Sequence, residues 1–129
     1  MVGIVIVSHS SKVAEGVKEL ALQMAKNVPI ASAGGTSDNE LGTDLEKIIV
    51  AIKQVYSEDG VVVLFDLGSA CMNAQMAIES LTNEMQKNVK VLDVALVEGA
   101  ITIAVDSSIG KSLLQIEEAV KKLCLHKMA

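Results

Sequence analysis

Residues 1–17, MVGIVIVSHSSKVAEGV, decide the fold. Met1–Val7 is a near-continuous apolar run rich in β-branched residues. That is the pattern of a strand buried on both faces, as in a parallel sheet. The run stops at Ser8, a lone His9 follows, and after Ser10 and Ser11 the period changes. Val13, Val17, Leu20, Ala21 and Met24 recur at helical spacing, with Lys12, Glu15, Glu19 and Lys26 on the other side. A serine caps a helix better than an imidazole does, and Ser10 or Ser11 can take that role. His9 is then free to present a ring nitrogen at the tip of the first strand.

The same strand–helix alternation continues outward from this stretch. The first helix is expected to end near Asn27. Pro29 opens a short second strand, VPIASA (28–33), which Gly34-Gly35 break. GGTSDNELGT (34–43) is a polar loop of turn formers. Thr43 and Glu46 predict a T-x-x-E capping box for a second helix with an apolar stripe of Leu45, Ile48, Ile49, Ile52 and Val55. VVVLF (61–65) is a third strand, again apolar throughout. Asp66–Ser69 form a tight turn with Ser69 as candidate N-cap, and a third helix is expected from Ala70 through Met85. VKVLDVALV (89–97) reads as a fourth strand that ends at Glu98-Gly99. AITIAVDSS (100–108) reads both ways: its β-branched content favours strand, its position after a strand tip favours helix. GKSLLQIEEAVKKLCLHK (110–127) is a closing helix, with His126 in its last turn, where a cation complements the dipole.

This order predicts an α/β fold, a doubly wound sheet of about four parallel strands in the order 2-1-3-4 with helices on both faces. Residues 1–129 are expected to form one domain. Such sheets hold ligands at the carboxyl ends of their strands, where the strand order reverses. In the order 2-1-3-4 the tips of strands one and three are neighbours, so His9 and Asp66 face each other. A carboxylate beside an imidazole fixes its tautomer and supports its cationic form. The helix starts around them are rich in Gly and Ser, which suits an anion. A histidine so placed can accept a phosphoryl group covalently, because phosphoryl transfer needs mainly alignment and electrostatic support. Against this stand blander readings: His9 as an exposed loop residue, Asp66 and the glycines as turn punctuation, Cys71 as a small helix residue.

Composition narrows the chemistry. Half of the 129 residues are hydrophobic but only 2% are aromatic, so the core is aliphatic. A net charge of −5 argues against nucleic acid or an anionic membrane as partner. All 11 basic residues are lysines, which excludes a guanidinium clamp on phosphate. Backbone N–H groups, hydroxyls or lysine must hold any anion, and Ser10, Ser11, Gly34, Gly35, Gly68 and Ser69 are the candidates. Leu41, Leu67 and Met72 are candidates for docking partner proteins. Cys71 and Cys124 make neither a zinc framework nor a disulfide scaffold, and read as reduced thiols of a cytoplasmic protein. The N-terminal run is too short for a signal peptide or a membrane span. No residues have metal-ligand spacing. IGKS (109–112) looks like the end of a P-loop, but Val105 stands where the motif wants glycine. Ser8, Ser10 and Ser11 lack a hydrolase's G-x-S-x-G setting.

GIVIVSHSSKVAEGV (3–17), GGTSDNELGTDLEKI (34–48), VVVLFDLGSACMNAQMAIE (61–79) and ALVEGA (95–100) together resemble the phosphotransferase subunits of bacterial phosphoenolpyruvate-dependent dihydroxyacetone kinases. The core of those subunits is related to the mannose-type enzyme IIA domains of the sugar phosphotransferase system. The resemblance implies that His9 is the phosphorylated histidine and Asp66 the aspartate near its ring. It places loop glycines at Gly34, Gly35, Gly42 and Gly68, with Thr43 following Gly42. It implies a phosphoryl group received from the phosphohistidine of the carrier protein HPr and passed to ADP on a nucleotide-binding kinase subunit. The ATP so formed would phosphorylate dihydroxyacetone on a third subunit. A homodimer is implied, and no cofactor. Longer relatives carry HPr-like and enzyme-I-like domains, which a chain ending at Ala129 would use in trans. Mannose-type IIA domains have a further antiparallel edge strand, and no strand is legible here after Ser108. A sugar-transport component, or a regulator whose binding follows the phosphorylation state of His9, shares the site and differs in its acceptor. A flavin-binding module would want aromatic partners, and only Tyr56 and Phe65 are available.

Overall fold

The computed structural model describes residues 1–128. The chain runs β1 (Gly3–Ser8), α1 (Ser11–Met24), β2 (Ile30–Gly34), α2 (Leu45–Val55), β3 (Val61–Phe65), α3 (Gly68–Glu79), α4 (Asn83–Lys87), β4 (Val89–Leu92), α5 (Leu96–Ser108) and α6 (Leu113–Ala119). A 3-10 turn, Lys121–Leu123, follows. The four strands form one parallel sheet in the order β2-β1-β3-β4, as the sequence predicts.

Strand side chains alternate between the two faces. Ile4, Ile6, Val62 and Leu64 point into one core, beneath α1, α5 and α6. Val5, Val7, Val61, Val63 and Phe65 point into the other, beneath α2, α3 and α4. All residues of β1 and β3 are buried, which is why both read as uninterrupted apolar runs. Ile6 is fully buried at the centre of the sheet. Ile6→Ala is expected to cost about 2–5 kcal/mol, through lost transfer energy and the cavity left behind. Urea unfolding midpoints measure it.

Several expectations need correction. Val13, Leu20 and Met24 are exposed on α1, and Ala14, Val17 and Ala21 make its buried face. The predicted capping box at Thr43 does not form. Asp44 caps α2 by accepting from the Lys47 amide at 3.2 Å, because the Thr43 hydroxyl accepts instead from Asn73 Nδ2 at 2.5 Å. The third helix stops at Glu79 rather than Met85. Ser80 bonds back to the Ala77 carbonyl and Thr82 caps α4, so local side-chain bonds divide the segment in two.

The fourth strand stops at Leu92, and Glu98 and Gly99 lie in α5 instead of ending a strand. Residues 100–108 are helical. Gly99, Ala100, Ile103, Ala104 and Ser107 are buried at helical spacing, and tertiary packing overrides the β-branched content. The closing helix ends at Ala119, and His126 lies beyond it, exposed, with φ of 56°. Ser112 of the IGKS stretch caps α6 in a capping box with Gln115. No strand follows β4 among the described residues, and no helix among them is long and apolar enough to cross a membrane.

Candidate active site

Register builds the site. Val7 of β1 pairs with Phe65 of β3, so Ser8-His9 and Asp66 emerge side by side at the carboxyl end of the sheet. The Asp66 carboxylate then accepts four hydrogen bonds. Oδ2 accepts from the Ser8 hydroxyl at 2.8 Å and the His9 amide at 3.0 Å. Oδ1 accepts from the Leu67 amide at 2.7 Å and from His9 Nδ1 at 2.9 Å. A carboxylate can only accept, so Nδ1 carries a proton, and in the neutral ring Nε2 is the nitrogen with the lone pair. The Ser69 hydroxyl lies 2.8 Å from Nε2 and donates to it when the ring is neutral. The result is a directed chain, Asp66–His9–Ser69, with the basic nitrogen at its outer end.

Burial pushes the Asp66 pKa up, but the bonds from His9, Ser8 and Leu67 together outweigh it and hold the carboxyl below its ordinary range. A group with a lowered folded pKa stabilises the fold above its unfolded pKa. That contribution is lost as pH falls through the folded value. Between about pH 5 and about pH 2 the parent protein is therefore expected to lose more stability than Asp66→Asn, which has no such proton to bind. Urea titrations across that range measure the narrowing gap.

Two helices start at this point. Ser10 caps α1, accepting from the Val13 amide at 3.3 Å, so the serine next to His9 does take the capping role. Its own amide donates to Ser8 Oγ at 3.0 Å. Ser11 is the first residue of α1, and Gly68 and Ser69 are the first two of α3. First-turn amides have no partner within a helix, so both starts turn positive potential toward His9. The predicted N-cap at Ser69 falls instead on Leu67, which makes no side-chain cap, and the Ser69 hydroxyl serves the imidazole.

The loop between β2 and α2 closes the third side. Its Gly42 amide donates to the His9 carbonyl at 2.8 Å, and the Gly35 amide to the Ser8 carbonyl at 3.2 Å. Lys47 Nζ reaches the Gly34 carbonyl at 3.1 Å and Asn39 Oδ1 at 3.3 Å. A side chain at Gly34 would collide with Ser10 and Ala14, so this glycine lets β2 approach α1. A Cβ at Gly68 would stand 2.5 Å from the Lys127 carbonyl oxygen. Of the residues predicted to hold phosphate, only Ser69 touches the imidazole. Ser10 and Ser11 stand at the start of α1, and the Gly35 amide is already engaged.

Leu41, Leu67 and Met72 are 81%, 59% and 68% exposed. Leu41 and Leu67 adjoin Gly42 and Asp66 in the chain, and Met72 lies one helical turn beyond Ser69, the three residues that bond His9. Met76, one turn along α3, extends this apolar rim. The His9 side chain itself is 27% exposed. The residues not anticipated are Ser8, Lys47 and Asn73. Ser8 was legible in principle, because parallel pairing of the two apolar runs sets it beside Asp66. Asn73 lies one helical turn beyond Ser69, so that one face of α3 holds both the imidazole and the loop.

A parallel sheet with a carboxylate-bound histidine at the carboxyl end of its strands defines this chain as an α/β domain of the doubly wound class. The chain belongs to the mannose-type enzyme IIA family: the model of that family, described as the PTS system fructose IIA component, matches residues 3–117. The phosphotransferase subunit DhaM of the PTS-dependent dihydroxyacetone kinase of Lactococcus lactis is 35% identical over 97% of this chain and 98% of its own length. The phosphoryl donor subunit DhaM of the PEP-dependent dihydroxyacetone kinase of Escherichia coli is 42% identical over 88% of this chain. This chain spans only 25% of that longer relative. A crystal structure of a protein of unknown function superposes with a TM-score of 0.80 at 37% identity, covering 92% of each chain.

Proposed function

We propose that this chain is a phosphohistidine relay that receives a phosphoryl group from phospho-HPr on His9 and passes it to ADP held on a dihydroxyacetone kinase subunit. The observation that supports the reading is the chain Asp66–His9–Ser69, which in the neutral ring leaves the lone pair on Nε2. In the first step Nε2 attacks phosphorus, the P–N bond to the donor histidine breaks, and that imidazole leaves with its electron pair. Asp66 keeps the Nδ1 proton in place and stabilises the charge that develops on the ring. The Ser69 hydroxyl turns from Nε2 to a phosphoryl oxygen, and the first-turn amides of α1 and α3 face the others. The second step reverses these roles with ADP as the attacking group. With no arginine in the chain, the phosphoryl group is held by amides and hydroxyls, which release it more readily than a bidentate clamp. Leu41, Leu67, Met72 and Met76 form the surface on which both partners dock. The relay works in the cytoplasm as a homodimer and needs no metal or cofactor of its own.

Incubation with phosphoenolpyruvate, enzyme I and HPr is expected to add one phosphate, labile in acid and stable in base. Mixing the phosphorylated protein with ADP and the kinase's nucleotide-binding subunit is expected to yield ATP. Phosphate that stays on the protein in that mixture, or moves only to a sugar-transport component, overturns the relay reading.

A further inference from the structure

The last described residues fold back over the carboxyl end of the sheet. The Ala95 amide donates to the Leu123 carbonyl at 3.0 Å, and the Met128 amide to Asp93 Oδ2 at 3.0 Å. Between these ties Lys127 Nζ enters the gap between β3 and β4. It donates to the Phe65 carbonyl at 2.5 Å and the Val94 carbonyl at 2.7 Å, and sits 4.4 Å from the centre of the Phe65 ring. The backbone of the same residue crosses the start of α3, its carbonyl oxygen filling the space that a Cβ on Gly68 would need.

These two contacts fall on one short segment. Phe65 immediately precedes Asp66, and Gly68 immediately precedes Ser69. Asp66 and Ser69 are the two residues that hold the nitrogens of His9. Lys127 therefore contacts the residue before Asp66 and the residue before Ser69, the two side chains that hold the imidazole. Burial pulls the Lys127 ammonium below its ordinary pKa, with the Asp93 and Asp66 carboxylates opposing the shift. Lys127 lies beyond the residues that the family model matches, 3–117.

We infer that Lys127 is a positioning residue for the transfer step: its amine and backbone lock residues 65–69 so that Asp66 and Ser69 hold His9 with Nε2 as the reactive nitrogen. The effect on rate rests on the relay proposed above, but the effect on the ring does not. Lys127→Met keeps the length and the apolar stem while removing both donated bonds. Its His9 ring is expected to give 15N signals of mixed tautomers, where the parent gives those of an Nδ1–H ring. Phosphoryl acceptance from phospho-HPr is expected to fall about tenfold, the scale of a small misplacement of reacting groups. Lys127→Arg, which can still donate to both carbonyls, is expected to keep the parent's ring signals. Gly68→Ala displaces Lys127 by its backbone and leaves the amine intact, so it repeats the test if the Met variant does not fold. It is expected to mix the tautomers as well. A folded Lys127→Met or Gly68→Ala protein with the parent's ring signals overturns the inference, whether or not its rate changes. If the parent itself accepts no phosphate, the relay fails, and the ring signals still decide the role of Lys127.

Discussion

Glutamine in place of His9 is expected to abolish phosphoryl acceptance, a loss of about 10⁴-fold or more, as for other covalent nucleophiles. The side chains are similar in length, and a glutamine amide can still reach Asp66 and Ser69. What it lacks is a basic lone pair: the amide nitrogen is delocalised, and the amide oxygen forms no stable phosphoryl adduct. The fold should tolerate the change, because the ring is not part of either core and the His9 amide and carbonyl keep their bonds to Asp66 and Gly42. Intact mass after incubation with phosphoenolpyruvate, enzyme I and HPr reads the outcome directly. A His9→Gln protein that still gains an acid-labile phosphate would mean that another residue is the acceptor.

Asp66→Asn is expected to slow acceptance by about 10²- to 10³-fold, even though it changes one atom. The carboxylate accepts at both oxygens, from Ser8 and the His9 amide on one side and from Leu67 and the His9 ring on the other. An amide has only one oxygen. If its oxygen stays with Ser8 and the His9 amide, its NH2 group faces the imidazole. Nδ1 must then accept, the proton moves to Nε2, and the lone pair sits on the wrong nitrogen. If the amide turns over, two donors meet the Ser8 hydroxyl and the His9 amide instead. Both arrangements are costly, and the first removes the nucleophile. The 15N signals of the His9 ring distinguish them, and a variant with parent-like rate and ring signals would remove Asp66 from the mechanism.

Much of this site can be read before any coordinates are known, for a physical reason. Strands buried on both faces must be apolar throughout, so 3–8 and 61–65 announce themselves, and parallel pairing then fixes what stands beside what at their ends. His9 and Asp66 follow from strand order alone. Legibility fails where a local pattern competes with a tertiary one. Ile101, Thr102, Ile103 and Val105 have strand-like side chains, yet packing on α1 and the sheet makes 96–108 a helix. Ser69 looked like a cap, and its hydroxyl is taken by the imidazole, a partner distant in sequence. Thr43 lost its capping role to Asn73 in the same way. The missing Cβ of Gly68 also makes room for Lys127, and no spacing rule connects those positions.

Asp66 holds His9 twice, by the backbone amide and by the ring. Such a two-point chelate makes the two ring nitrogens inequivalent, since a half-turn of the ring about χ2 would break the bond to Oδ1. The ordering entropy of this side chain, about 1 kcal/mol, is thereby surrendered when the protein folds rather than at each encounter. Donor and acceptor meet a histidine with a single aim, and neither has to wait for the ring to find it.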